Sequence, residues 1–384
     1  MSRITEPEGT ERGHEEPISW SGKRVNAWVP FPLGGQDFDV AIRTARRTEQ
    51  AIAAVRAAGT QPARFLPLGM LLLRAEGVAS SFIESLRVPL VDVAAAEVGG
   101  TTDVTALAVA DNLGAVVDAL RSPLLPLQVE DLHHWHRRLM AASSIPDEMI
   151  GAFRKEQSWI GGTSPRDAAL VPPPPDRIER LMADLIEFVN GKGTDPVTQA
   201  AVAHAQFETI HPYGDGNGRI GRVLIGWILA RRLGITVPPP VSVFIARDPG
   251  GYLAGLTMFR LGQLDPWVDW LAGALLRTSE AVQDLVAGAE RLVGVWGERL
   301  HDVRRGATAR QIIELLGQSP VVSSDLVAGR LGVSERSART ALHALADRGI
   351  LQPYGRSASG AGRPRHFWVA AELLQLISGW PGIT

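Results

Sequence analysis

His211-Pro212-Tyr213-Gly214-Asp215-Gly216-Asn217-Gly218-Arg219-Ile220-Gly221-Arg222 is the stretch on which the reading of this chain turns. Gly214, Gly216 and Gly218 permit left-handed turns and leave backbone N–H groups uncovered by side chains. An apolar helical run follows at once through Ile220, Val223, Leu224, Trp227, Ile228 and Leu229. The loop is therefore expected at a helix N-terminus, where unpaired N–H groups and the helix dipole favour an anion. Arg219 and Arg222, three apart, share a helix face and can turn both forks to one phosphate chain. Asp215 is a hard carboxylate suited to a magnesium ion bridging phosphates. His211 can take a proton near neutral pH. One segment thus carries a base, a metal ligand, an anion nest and two cations, the parts of a phosphoryl- or nucleotidyl-transfer site. The plainer alternative is a Gly-rich turn capping a core helix.

The stretch lacks the Gly-Lys-Ser/Thr ending of a Walker loop. It resembles instead the signature of the Fic family, His-x-Phe-x-(Asp/Glu)-Gly-Asn-Gly-Arg-x-x-Arg, with Tyr213 where Phe is usual. Tyr213 keeps a buried aromatic anchor and adds a hydroxyl. The resemblance implies a mainly α fold, a helical Fic core with a small β-hairpin flap. It also implies transfer of AMP from ATP to a Ser, Thr or Tyr hydroxyl of a protein, the chain itself included. In that scheme His211 removes the hydroxyl proton and Asp215 holds Mg2+ against the α- and β-phosphates. The amides of Gly216 to Gly218, with Gly214 in the same loop and Asn217, cradle phosphate oxygens. Arg219 binds the β-phosphate and Arg222 the γ-phosphate. Transfer of UMP or phosphocholine, removal of AMP, or a DNA-binding regulator whose Fic part only senses nucleotide are the alternatives.

Ser80-Ser81-Phe82-Ile83-Glu84-Ser85, on a helix expected from about Leu66 to Arg87, resembles the family's inhibitory motif Ser/Thr-x-x-x-Glu-Gly/Asn. Ser80 and Glu84 match, and Ser85 departs from Gly/Asn. The resemblance implies an ion pair of Glu84 with Arg222 that takes the fork meant for the γ-phosphate. A bidentate Arg–carboxylate contact in a low-dielectric cleft competes well with phosphate. A solvated glutamate near a helix end is the alternative. Residues 151 to 175 read as two short extended runs around Thr163-Ser164-Pro165-Arg166-Asp167, ending in a Pro172 to Pro175 run. They are similar to the flap of Fic proteins, which implies that Thr163, Ser164, Leu170 and Val171 help dock an extended target segment. A surface hairpin whose prolines block edge pairing is the alternative. Tyr252 and Leu256 resemble the nucleobase-lining stretch, with Asp248 and Pro249 where Asn and Arg are frequent; Tyr252 reads equally well as a core residue. His133, His134 and His136 read as core and surface histidines, with no single shared face for a metal.

From Ala307 onward the pattern is helix, helix, turn, helix, hairpin, which looks like a winged helix-turn-helix of bacterial regulators. Arg336 and Arg339 on its recognition helix, and Arg356 and Arg363 on its wing, are candidate DNA contacts. Residues 301–384 hold ten Arg against six Asp and Glu, a surplus of four, where the whole chain carries −2. Local basicity supports phosphate contacts; docking to protein is the alternative, and the residues leave the choice open.

The 384 residues exceed one ordinary domain. Expected are an acidic flexible tail over 1–25, an N-terminal helical region with the inhibitory helix over 26–105 and a catalytic core over 106–278. A connector helix over 279–303 and the winged helix over 304–384 complete the chain. Within these bounds residues 92–104 read as a loop and Trp267 to Leu276 as a separate packed helix. With no cysteine, disulfides and thiolate chemistry are excluded. No run of about eighteen apolar residues offers a membrane span, and the acidic N-terminus is unlike a secretory signal; a cytoplasmic protein is expected. Ala-rich composition with Arg favoured over Lys points to a GC-rich bacterial source. Expected partners are a protein substrate or the chain itself, with DNA and a second copy of the chain left open.

Overall fold

A computed structural model describes residues 11–59, 66–121, 125–357 and 365–383. The chain opens with strands β1 (Gly13–Trp20) and β2 (Lys23–Pro30), paired antiparallel. Helices α1 (Ile42–Gly59), α2 (Leu66–Ile83), α3 (Leu90–Ala96), α4 (Val104–Arg121) and α5 (Val129–Leu139) follow. After a long irregular segment come α6 (Pro175–Asn190), α7 (Pro196–Ile210), α8 (Asn217–Leu233), α9 (Val241–Arg247), α10 (Pro249–Arg260) and the long α11 (Leu264–Arg299). The C-terminal unit runs α12 (Thr308–Leu316), β3 (Val321–Ser323), α13 (Ser324–Leu331), α14 (Glu335–Asp347), β4 (Gln352–Ser357), β5 (Arg365–Val369) and α15 (Ala371–Gln375). Its sheet is antiparallel in the order β3-β5-β4. Among the described residues no helix is long and apolar enough to cross a membrane.

The antiparallel pair α7 and α8 forms the centre. Asp195 starts α7 by accepting from the N–H groups of Val197 and Thr198 (2.9 and 3.0 Å), with Pro196 in the first turn. Ala200, Ala201, Ala203 and Ala205 are buried and let α8 approach closely. Gly234, in the left-handed conformation, ends α8.

Two apolar cores are bridged by several helices, α2 among them. The first surrounds α7 and α8 and takes Leu73 from α2. The second joins Leu71, Leu72, Ala75, Val78 and Ala79 of α2 to α3, the later turns of α11 and the C-terminal unit. At that seam the fully buried Arg74 donates to both carboxylate oxygens of Glu97 (2.6 and 2.9 Å) and to the Gln318 carbonyl. Gly382 lies so close to α2 that a methyl there would stand 3.3 Å from Ala79 Cα and 2.8 Å from Ala246 Cβ.

Several expectations are corrected. The supposed tail over 1–25 contains β1, and β2 lies in the supposed helical region. Val25, Ala27 and Val29 alternate inward, and Ser21-Gly22 turns with φ of 49° and 74°, the two-residue turn that matches strand twist. Counting glutamates hid that alternation; Glu15 and Glu16 are engaged by Asn26 and Arg177. Part of the expected 92–104 loop is α3, whose Ala94-Ala95-Ala96 run favours helix until Gly99. The 279–303 connector and the 267–276 helix are one helix. Thr278 and Ser279 fold their hydroxyls onto the carbonyls of Ala274 and Leu275 (2.7 and 2.8 Å) and so leave α11 unbroken. The boundary at 105 falls inside α4. The flap is pared to a single antiparallel bridge, Ile160 to Leu170.

Arg74→Ala removes the cation from Glu97 and Gln318. Breaking a buried pair costs about 3 kcal/mol at the low end, the end that applies because Glu97 keeps 22% of its side-chain surface. Urea denaturation of the two chains measures it.

Candidate active site

The loop between α7 and α8 is held in shape by side chains before any ligand is considered. His211 ends α7 with φ 50° and ψ 61°, a left-handed conformation that a side chain disfavours. Arg154 fixes it: Nε donates to the His211 carbonyl (2.9 Å), while the other guanidinium nitrogens donate to the carbonyls of Glu156 (2.9 Å) and Pro173 (2.5 Å). The Arg154 N–H also donates to the Pro212 carbonyl (2.9 Å). Asn217 spans the turn, accepting from the Tyr213 N–H and donating to the Tyr213 carbonyl, both at 2.8 Å. Tyr213 is fully buried and stacks on His136 at 4.0 Å.

His136 pins the far side of the loop. Its Nδ1 accepts from the Gly151 N–H (2.8 Å), so Nε2 carries the proton and donates to the Asp215 carbonyl (3.0 Å). Burial lowers its pKa to about 4, so the ring stays neutral. His133 reaches the Tyr213 hydroxyl at 3.1 Å. His133 and His136, three apart, share a face of α5 and use it to grip Tyr213, while His134 is exposed.

Beyond Gly216 the N–H groups of Asn217, Gly218 and Arg219 have no main-chain acceptor among the described residues. A carboxylate sits there. A methyl at Gly218 would stand 2.3 Å from Glu84 Oε1 and 3.0 Å from an Arg222 terminal nitrogen. Arg222 is 2% exposed and donates from Nε to Ser80 Oγ (2.9 Å), and from Nη2 to the Ser80 carbonyl (2.9 Å) and Glu84 Oε1 (2.8 Å). Burial works to lower the Arg222 pKa, but Glu84, Tyr252 and Glu208 outweigh it and raise it. Burial likewise works to raise the Glu84 pKa, and Arg222, Arg219 and His211 leave it depressed. Glu84 closes α2: the Leu86 N–H returns to the Ser81 carbonyl (3.0 Å), and Ser85 takes φ 65°. That is the conformation Gly and Asn adopt most readily, so Ser85 fills the motif's last place under strain.

Burial and Arg154 depress the His211 pKa to about 4, against the Glu208 carbonyl, Glu84 and Asp215. The imidazole is neutral at pH 7 and able to accept a proton. Arg219 is buried, with Asp215 Oδ1 at 3.5 Å. The exposed Asp215 accepts from the Gly216 N–H through the same oxygen (2.5 Å).

The Fic/DOC family pattern matches residues 126–229. That segment of the chain is a Fic/DOC domain. It is 31% identical over 149 residues to the protein adenylyltransferase fic-1 of Caenorhabditis briggsae, covering 38% of this chain and 27% of that one. It is 29% identical over 199 residues to the protein adenylyltransferase Fic of Culex quinquefasciatus, covering 48% and 37%. The matches thus span between about a quarter and two fifths of those relatives' lengths. A Fic family protein from Desulfovibrio desulfuricans G20 has a similar fold, with TM-score 0.56, 23% identity, and 86% and 97% of the two chains covered. A fragment of Fic-1 from C. elegans aligns with TM-score 0.50, 20% identity, and 65% and 73% covered.

Within the Fic domain, His211, Asp215, the glycines, Arg219 and Arg222 are brought together as expected, with Ser80 and Glu84 closing on them from outside the matched segment. Other predicted residues stand differently. Asn217 spends both ends of its amide on Tyr213, so it shapes the loop rather than meeting phosphate. Tyr252 is 4% exposed, with its hydroxyl 2.8 Å from His204 Nε2, and belongs to the core behind Arg222. Thr163 and Ser164 direct their N–H and hydroxyl groups at Asp167 (2.7 to 3.0 Å), which closes the flap tip on itself. Leu170 bonds to Ile160, and the Val171 carbonyl takes the Trp28 N–H of β2 (2.8 Å). Arg336 and Arg339 are exposed on α14, Arg339 lying 4.0 Å from Glu335. Arg356 is described in its backbone alone and Arg363 lies outside the described residues. Sequence reasoning missed the roles of His136 and Arg154, whose partners are carbonyls 79 and 57 residues away.

His136→Phe keeps the stack on Tyr213 and orphans the Gly151 N–H and the Asp215 carbonyl; it costs about 1–3 kcal/mol by thermal melting. Because the folded-state pKa of Glu84 is depressed, its pair contributes at neutral pH and loses that contribution as pH falls through the depressed value. The stability gap between wild type and Glu84→Gln, followed by urea denaturation, closes in acid.

Proposed function

We propose that this chain transfers AMP from ATP to a side-chain hydroxyl of a protein, and that Glu84 holds it at rest. The observation that carries the reading is the Glu84 carboxylate seated on Gly218 and paired with Arg222, beside a neutral His211 imidazole. A carboxylate at a helix N-terminus and in an arginine fork stands where phosphate oxygens bind.

With Glu84 displaced, the amides of Gly218 and Arg219 and the Arg219 and Arg222 side chains receive the β- and γ-phosphates. His211 accepts the proton of the target hydroxyl as its oxygen bonds to the α-phosphorus. The bond from that phosphorus to the bridging oxygen breaks, and pyrophosphate leaves. The triphosphate's negative charge beside His211 works against burial and makes the imidazole a stronger base. Arg154, holding the His211 carbonyl, keeps the ring in register with the flap base at Pro173. Asp215, exposed and with Oδ2 unused among the described hydrogen bonds, fits Mg2+. Among the described residues no three His, Cys, Asp or Glu side chains converge, which suits an ion that takes its other ligands from phosphate and water. When bound, that ion neutralises phosphate charge.

A target segment adds beside Ile160 at the outer edge of the flap, since Ile160 itself bonds to Leu170 and β2 engages the other side at Val171. The order helix, strand, helix, helix and two strands after Thr308 supports reading residues 304–384 as a winged helix-turn-helix. Arg339 and Arg365 of that unit face their own carboxylates, Glu335 (4.0 Å) and Asp325 (3.2 Å). That pairing favours a docking unit over a DNA reader.

Incubation of purified chains with labelled ATP, Mg2+ and a lysate tests the proposal. Glu84→Gly labels protein at least tenfold faster than wild type, and His211→Ala in the Glu84→Gly chain abolishes labelling. Equal labelling by wild type and Glu84→Gly removes the inhibitory role.

A further inference from the structure

Arg222 has a second carboxylate within electrostatic reach. Glu208 lies on α7, three residues before His211. A methyl at Gly221 would stand 2.5 Å from Glu208 Oε1 and 3.0 Å from His204 Nδ1. Both atoms are shut off from solvent, and neither has a hydrogen-bond partner among the described residues. With no side chain on Gly221, two unsatisfied polar atoms close on the α8 backbone beside Arg222.

The charges around these atoms come from four helices. α7 supplies His204 and His211, and α8 supplies Arg222. α2 supplies Glu84, together with Glu76, whose own field reaches Arg222. α10 supplies Tyr252, which feels both Glu208 and Arg222. Burial keeps His204 neutral, with its pKa down to about 3, and pushes the Glu208 carboxyl up to about 7; Arg222 opposes that rise and Glu84 adds to it.

We propose that Glu208 is a positioning residue for Arg222, the alternate counter-charge that holds the guanidinium when Glu84 withdraws and yields it to the terminal phosphate of ATP. The proposal rests on reading the site as an ATP site. A buried guanidinium stays charged and cannot be left uncompensated. While Glu84 is paired with it, a second ionised carboxylate nearby is repelled, and Glu208 keeps its proton below about pH 7. Once Glu84 is gone, Glu208 loses that repulsion, faces an unpaired cation and ionises. An arriving triphosphate restores a negative neighbour, and Glu208 takes a proton back from solvent. ATP binding to the released site therefore consumes a proton, and affinity falls as pH rises through the Glu208 pKa of that state.

Two measurements on the full chain test this. A non-hydrolysable ATP analogue is titrated calorimetrically into Glu84→Gly and Glu84→Gly/Glu208→Gln from about pH 6 to about pH 8.5. The first loses roughly three- to tenfold in affinity across the range, and the second stays flat. Thermal melting without nucleotide completes the cycle at about pH 6, where Glu208 is protonated beside the Glu84 pair. Glu208→Gln leaves wild type as stable or more stable, since it removes an acid that burial disfavours. The same substitution lowers the melting temperature of Glu84→Gly, where Glu208 carries the pairing. Parallel pH profiles with and without Glu208, or the same melting shift in both backgrounds, overturn the proposal. Failure of every chain to bind the analogue removes the ATP reading, and the melting cycle still decides the role of Glu208.

Discussion

A single guanidinium, Arg222, organises this molecule. It is buried and always charged, so the surrounding structure has to supply acceptors. Ser80 gives two and Glu84 a third, all from α2, while Glu208 and Tyr252 face it from α7 and α10. The fork that recognises a carboxylate in this way also matches a phosphate. In the proposed function, rest and readiness differ by one anion exchanged for another at the start of α8.

The helix that carries the resting anion belongs to two cores. Leu73 of α2 packs with α7 and α8, whereas Leu71, Leu72, Ala75, Val78 and Ala79 pack with α3, α11 and the C-terminal unit. Gly382 touches α2 at Ala79, one residue before Ser80. Glu84 cannot be described as a local plug; its place is set by elements at both ends of the chain. Two residues at the site also carry backbone strain, His211 and Ser85, each with positive φ. Arg154, Asn217 and His136 hold the first in place through main-chain bonds, and a reverse hydrogen bond at the end of α2 holds the second. A loop constrained this way keeps its N–H groups oriented before a ligand arrives.

Much of the centre was legible because its signals are local. Glycine spacing, Asp195-Pro196 and the apolar run after Gly218 each constrain neighbouring backbone. Ser80 and Glu84 were legible through the resemblance of their stretch to the family's inhibitory motif. What stayed hidden depends on contacts between distant segments. Asn217 looks like a phosphate ligand in sequence and turns out to clasp Tyr213. Tyr252 could not be assigned until Trp267 and Trp270 were seen to flank it. Glu208 carries no pattern at all, since its meaning is the absence of a partner. The N-terminal hairpin was missed through weighting acidic residues over the alternation of Val25, Ala27 and Val29, and α11 reads as two helices in sequence although Thr278 and Ser279 leave it continuous.

The central claim is that Glu84 and the terminal phosphate of ATP compete for Arg222. Crystal structures of wild type and Glu84→Gly with a non-hydrolysable ATP analogue and Mg2+ test it most directly. The account predicts that, in Glu84→Gly, the γ-phosphate lies within hydrogen-bond distance of Arg222 with the α-phosphorus beside His211, and that wild type keeps the Ser80–Arg222–Glu84 contacts. A nucleotide bound away from the start of α8, or a γ-phosphate on Arg222 with the Glu84 pair still intact, would contradict it.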